Sequence, residues 1–145
     1  METQGGYLIS RIHQVGGRLF DKLLSESGID AFNGAQGRIL YVLWQEDGVS
    51  ISEIARRTGL ANTTLTSMLD RMDAAGLIRR ATVPSDRRRQ CVVLTEKARS
   101  LREDYNRISE RMNEVYYAGF TEAEYAQLEG YLLRILDNLE GGTSP

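Results

Sequence analysis

The sequence has little of what enzymes and metal sites are usually built from. Its 145 residues include one cysteine, Cys91, and one histidine, His13. A lone thiol excludes an intrachain disulfide and a cysteine-based zinc site. A lone imidazole leaves no histidine cluster for a metal, and it argues against a histidine-dependent triad. No paired carboxylates, nucleophile motif or phosphate loop stands out, so no catalytic residues, cofactor or metal are expected. No apolar run approaches the roughly 18 residues needed to cross a membrane. The first residues, Met1 to Gly6, are polar and carry Glu2, unlike a signal peptide. These absences point to a non-enzymatic protein of the reducing cytoplasm with no membrane partner.

What the sequence does have is an uneven charge. The net charge is only -2, from 18 basic and 20 acidic residues. Ile51 to Arg99, however, holds ten basic residues against five acidic ones, and the remainder holds eight against fifteen. A basic middle between acidic ends suits a DNA-facing patch on a larger scaffold.

Periodicity supplies the elements. Leu8, Ile12, Val15, Leu19 and Leu23 mark a helix over Tyr7 to Glu26, ended by Gly28. Ala35 to Gln45 reads as a second helix. Ser50 and Glu53 have capping-box spacing and open a short third helix that runs to Arg57 or Thr58. After a turn at Gly59, Asn62 to Ala75 reads as a fourth, stopped by Gly76. Leu77 to Val83 and Gln90 to Leu94 read as strands, with Pro84 to Arg89 as the turn between them. Thr95 caps a long helix expected to reach Ala118. A capping box at Thr121 and Glu124 starts the last helix, and a polar tail follows from Glu140 to Pro145. The first and last helices are amphipathic and need partners to bury their stripes. A chain this short cannot cover them all, so a homodimer built from both termini is expected.

Two helices joined at Gly59 have the helix-turn-helix layout. Its second helix would enter the major groove with Asn62, Thr63, Thr64, Thr66, Ser67 and Arg71 outward. Asn pairs with adenine, Arg with guanine, and hydroxyls with bases or phosphates. Arg71 has three readings: a guanine contact, a phosphate contact, or an ion pair with Asp70 or Asp73. A polar surface helix would show the same face, and the hairpin is what favours DNA. Arg87, Arg88 and Arg89 sit at its turn, with Arg79 and Arg80 on the preceding strand. An arginine at such a tip reaches into a narrow minor groove. Asp86 would repel DNA if exposed, so its expected role is structural, accepting turn amides or holding Arg88.

These residues carry a resemblance. Ile51-Ser52-Glu53-Ile54-Ala55, then Leu65 through Gly76-Leu77-Ile78, then Asp86-Arg87-Arg88 through Val92-Val93-Leu94-Thr95, resemble the MarR family of winged helix-turn-helix regulators. The resemblance in element order covers nearly the whole chain. It implies a mainly α fold with a small β-hairpin wing and N- and C-terminal dimerisation helices. The corresponding division is 1–30, 31–95 and 96–145, as one intertwined domain. It implies a homodimer on a pseudo-palindromic double-stranded DNA operator, usually a repressor released by a small molecule or by oxidation. The family's wing Asp and Arg map onto Asp86 and Arg88. Two departures stand out. Ala61 replaces the family's frequent Ser at the recognition-helix cap, a role Asn62 can take one residue later. Ala98 replaces a frequent Gly.

The family also has a ligand pocket between its dimerisation and DNA-binding parts. His13, Tyr41 and Trp44 are candidates to line it for a small-molecule effector, with core or interface packing as the plainer alternative. Cys91 reads as an ordinary strand residue rather than a redox sensor, because no second cysteine can resolve it. The competing function is a winged-helix module that binds protein through the same face. The wing arginines and the basic middle favour DNA.

Overall fold

The computed structural model describes residues 2–141, which form seven helices and three strands. Two compact units are present, one ending at Ser109 and the other beginning at Glu110.

In the first unit, α1 (Gly5–Glu26) is stopped by Gly28, whose φ of +73° is the left-handed conformation that glycine adopts without a Cβ penalty. Next comes α2 (Gly34–Gln45). A reciprocal box fixes its start: the Asn33 side chain accepts from the Gln36 amide, and the Gln36 side chain accepts from the Asn33 amide. Asp21 of α1 accepts from the Gly34 amide at 2.7 Å and so ties the two helices together. A two-residue strand, β1 (Val49–Ser50), precedes α3 (Ile51–Thr58). Gly59 ends α3 at φ +73°, and α4 (Asn62–Ala74) follows within three residues. The hairpin is β2 (Ile78–Val83) and β3 (Asp86–Leu94). The sheet order is β1-β3-β2, antiparallel throughout.

Three local expectations are corrected. The expected box at Ser50 is half present: Ser50 Oγ accepts from the Glu53 amide, but the Glu53 carboxylate turns to Arg56 and Arg57 instead. The hairpin turn is shorter than expected, because Asp86 already pairs with Val83 and leaves only Pro84 and Ser85 between the strands. The long helix after Thr95 is broken into α5 (Glu96–Ser100) and α6 (Arg102–Tyr116). The break has a cause. The Ala98 carbonyl accepts the Trp44 indole N–H at 3.0 Å and a tightened bond from the Leu101 amide, which displaces the regular ladder for one turn.

All of these elements share one apolar core. Ile39, Leu40 and Leu43 of α2, Ile54 of α3, Leu65, Leu69 and Met72 of α4, and Ile78 and Val92 of the sheet are essentially inaccessible. No polar or charged residue is buried among the described residues. The inner face of α4 is thus seated by hydrophobic contact. The residues of α1 that point elsewhere are bare: Tyr7, Leu8, Ile9, Ile12 and Val15 are exposed.

In the second unit, α7 (Glu122–Gly141) starts at a complete capping box, with Thr121 Oγ1 accepting from the Glu124 amide and Glu124 accepting from the Thr121 amide. Tyr117 braces the turn before it: its ring lies 5.2 Å from Tyr125 and its hydroxyl donates to Glu129. No residue of α7 is buried, and Leu132, Leu133, Ile135, Leu136 and Leu139 are exposed. The α7 helix runs through Glu140 and Gly141, two residues expected in the tail. The rest of that tail lies outside the described residues. No helix among the described residues is long and apolar enough to cross a membrane.

Because Leu69 is wholly inaccessible in the core beneath α4, Leu69→Ala should cost about 2–5 kcal/mol of stability. Urea unfolding should show a lower midpoint at unchanged slope. A loss below about 0.5 kcal/mol, the range of ordinary surface changes, would mean that α4 is held by something other than this core.

Candidate nucleic-acid interface

Apolar spacing on α4 decides which side chains point away from the protein. With Leu65, Leu69 and Met72 turned inward, Asn62, Thr63, Thr64, Thr66, Ser67 and Arg71 are all exposed. The Thr66 hydroxyl donates to the Asn62 carbonyl at 2.8 Å, so it is bound to its own helix. Among the described residues, no hydrogen bond or ion pair engages the side chains of Asn62, Thr63, Thr64, Ser67 or Arg71. Asn62 is not the cap. Ala61 holds that position in extended geometry without a side-chain bond, and Asn62 is the first helical residue. The first-turn amides of α4 therefore have no side-chain acceptor and point out of the helix end.

The wing presents its charge through an irregularity. Thr82 pairs with Gln90, yet the next residue, Val83, pairs with Asp86. Arg87, Arg88 and Arg89 are thus extruded from the ladder as a bulge, and all three are exposed. A regular strand would have sent alternate arginines to opposite faces. Asp86 anchors the bulge: its Oδ1 accepts from the Arg88 amide at 3.0 Å and lies 3.8 Å from the Arg88 guanidinium. The Arg88 side chain is 95% exposed. Of the other two hairpin arginines, Arg79 is exposed, whereas Arg80 turns to Asp70 of α4.

A third basic group lies at the end of α3. Glu53 accepts from both Arg56 and Arg57, and Arg57 also reaches Glu46. The hydrogen bonds from Arg56 and then Arg57 lower the Glu53 pKa from 4.5 to about 2.

The sequence pattern of the MarR family matches residues 32–89, the stretch from the start of α2 to the wing bulge. The regulator PecS of Dickeya dadantii is 31% identical over 137 residues, spanning 90% of this chain and 79% of that protein. The chain belongs to the MarR family. This MarR protein is also 44% identical over 64 residues to the regulator TtmR of Methylorubrum extorquens, a match that spans 44% of this chain but only 33% of that one. Among solved structures it is similar to a mutant MarR from E.coli complexed with operator DNA. The TM-score is 0.80, with 26% identity, 90% of this chain and 92% of that chain covered. The helix-turn-helix and wing described above are this family's architecture.

The candidate pocket residues of the MarR protein are only partly brought together. Tyr41 and Trp44 both pack on Tyr105, at ring distances of 5.9 and 5.1 Å. Phe32 and Phe20 complete the cluster around the same ring. His13 is exposed on α1 and takes no part in it. Burial pushes the Tyr105 hydroxyl pKa upward, against a hydrogen bond to Ser109 that lowers it. Tyr105 is the residue that sequence reasoning missed. Nothing local in the sequence says that four other rings converge on it. An open groove lined by Asp21, Leu24, Phe32 and Asn33 lies beside this cluster, and none of His13, Tyr41 and Trp44 lines it.

The lowered Glu53 pKa has a direction in pH. The ionised form favours the folded protein, so its contribution is complete above about pH 4.5 and fades as the pH falls toward 2. The difference in thermal midpoint between wild type and Glu53→Gln should therefore shrink over that window. A difference that stays constant down to the acid limit would show that the arginine bonds are not its source.

Proposed function

We propose that this protein is a homodimeric regulator of the cytoplasm that reads a pseudo-palindromic operator in double-stranded DNA and represses by occupying it. The observation that carries this reading is the pairing, in one unit, of the unengaged side chains of Asn62, Thr63, Thr64, Ser67 and Arg71 on α4 with an extruded arginine bulge on the adjacent wing. In this reading Asn62, Thr63, Thr64 and Ser67 meet base edges and phosphates in the major groove, and Arg88 enters the minor groove. Arg87 and Arg89 flank it on the backbone. Arg71 makes a phosphate contact, because it lies more than two turns into the helix and no acidic side chain holds it. A solved relative of the same fold is complexed with operator DNA, which supports the DNA reading.

The bare apolar stripes of α1 and α7 support the dimer. Rows of leucine and isoleucine at this exposure are the usual mark of a subunit interface. Release by a small molecule is the finer part of the proposal. The ring cluster around Tyr105, with Tyr41 45% exposed at its edge, offers a flat aromatic compound a stacking surface. Trp44 is the only tryptophan in the chain and sits in that cluster, so its fluorescence reports on occupancy. A protein-binding winged helix is the competing reading. It gives the arginine bulge no task, and it predicts no salt-dependent affinity for DNA.

A gel shift on the DNA upstream of the chain's own gene, at two salt concentrations, separates the two. Binding should weaken sharply at the higher salt through counterion release. Arg88→Ala should weaken it by about 1–3 kcal/mol without altering the thermal midpoint. An unchanged dissociation constant at matched salt would remove Arg88 from the interface.

Deleting residues 125–145 should yield monomer or aggregate in a sedimentation experiment. A soluble folded dimer from the truncated chain would refute the role given to α7.

A further inference from the structure

The polar face of α4 carries two residues of the wrong sign, Asp70 and Asp73, and only Asp70 has a partner in the wing. Asp70 is three residues beyond Ser67 and seven beyond Thr63, so it lies on the same side of the helix as both. A carboxylate there opposes the approach of phosphates. Its side chain is 62% exposed, and its partner is Arg80 of the wing. Arg80 faces Val92 across the ladder, and Val92 is fully buried, so the arginine stem leaves the sheet on its core side. The guanidinium emerges beside α4 and meets Asp70 Oδ1 through Nη2. The Arg80 side chain is only 25% exposed, and its Nε is buried with no hydrogen-bond partner. Leaving a buried donor unsatisfied is costly, and the fold keeps it. Among the described residues this is the one ion pair that joins α4 to the hairpin.

We infer that Asp70 and Arg80 are positioning residues: a strut that sets the angle between the recognition helix and the wing, so that both reach one half-site together. This rests on the DNA-reading function proposed above. Arg80 is therefore not a phosphate contact, although the sequence groups it with the wing arginines. Asp70 is retained on a DNA-facing surface because the angle it fixes outweighs the repulsion it adds.

The strut makes a prediction opposite in sign to simple electrostatics. Removing a negative charge from the face of a DNA-binding helix should tighten binding, or leave it unchanged. Asp73 serves as the control. It is exposed on the same helix, and none of the ion pairs above includes it. The probe is a duplex that the wild-type protein selects from a randomised library, with binding followed by fluorescence anisotropy over a range of salt.

Asp73→Asn should bind as well as wild type or better. Asp70→Asn should bind about tenfold more weakly, and the slope of log affinity against log salt should fall by about one as a wing contact is lost. Arg80→Met should lose the same factor, and adding Asp70→Asn to it should cost nothing further, since both remove one interaction. Arg80→Lys, which keeps a cation for Asp70, should recover most of the loss. If Asp70→Asn does not fold, the comparison of Arg80→Met with the double variant carries the test. An Asp70→Asn protein that binds like Asp73→Asn, or a double variant whose losses add, overturns the strut while leaving DNA binding intact. A wild-type protein that enriches no duplex overturns the DNA reading, and the strut falls with it.

Discussion

The unit that carries α4 and the wing depends on one apolar core that α2, α3, α4 and the sheet all enter. Ile39, Ile54, Leu65, Leu69, Met72, Ile78 and Val92 come from each of these elements and are almost wholly inaccessible. Hydrophobic contact is strong but not directional, so it holds the elements together without fixing their angles finely. Direction is supplied at the rim. Asp47 accepts from the Gly48 and Leu94 amides and from Arg99, which links the loop after α2, the end of β3 and α5. Thr95 donates to the Gly76 carbonyl and caps α5 by accepting from the Ala98 amide. The pair of Asp70 and Arg80 does the same between α4 and the wing. The core thus makes a stable body, and a few charged and hydroxyl groups set its shape.

The parts of this arrangement that were legible in the sequence are those with local causes. Helix existence follows from residue spacing, and glycine stops follow from left-handed φ at Gly28, Gly59 and Gly76. Ser50 and Thr121 were readable as caps because their partners lie three residues away. The outward residues of α4 followed once its inward ones were known.

The parts that were not legible have distant causes. Strand β1 is two residues long and exists only because Val92 and Cys91 lie opposite Val49 and Ser50. The break after Ser100 needs an indole from residue 44 to claim a carbonyl at residue 98. The arginine bulge requires the register of β3 on β2, which composition cannot reveal. Arg80 looked like its neighbours in sequence and differs from them only in the face of the strand it leaves. Glu53 shows the same limit at short range: its spacing fits a capping box, but two arginines one turn further on offer the carboxylate stronger partners.

In the proposed dimer the helix α7, no residue of which is buried within a single chain, carries a genetic consequence. Partner choice would then lie in the terminal helices and DNA contact in the wing and α4, so damage to one function would leave the other intact. A subunit with its arginine bulge destroyed would still capture undamaged subunits. In a cell making both kinds in equal amounts, about half of the dimers would be mixed and a quarter would be wholly undamaged if pairing is random. Loss-of-contact alleles in the wing would behave as dominant, and alleles that remove α7 would behave as recessive.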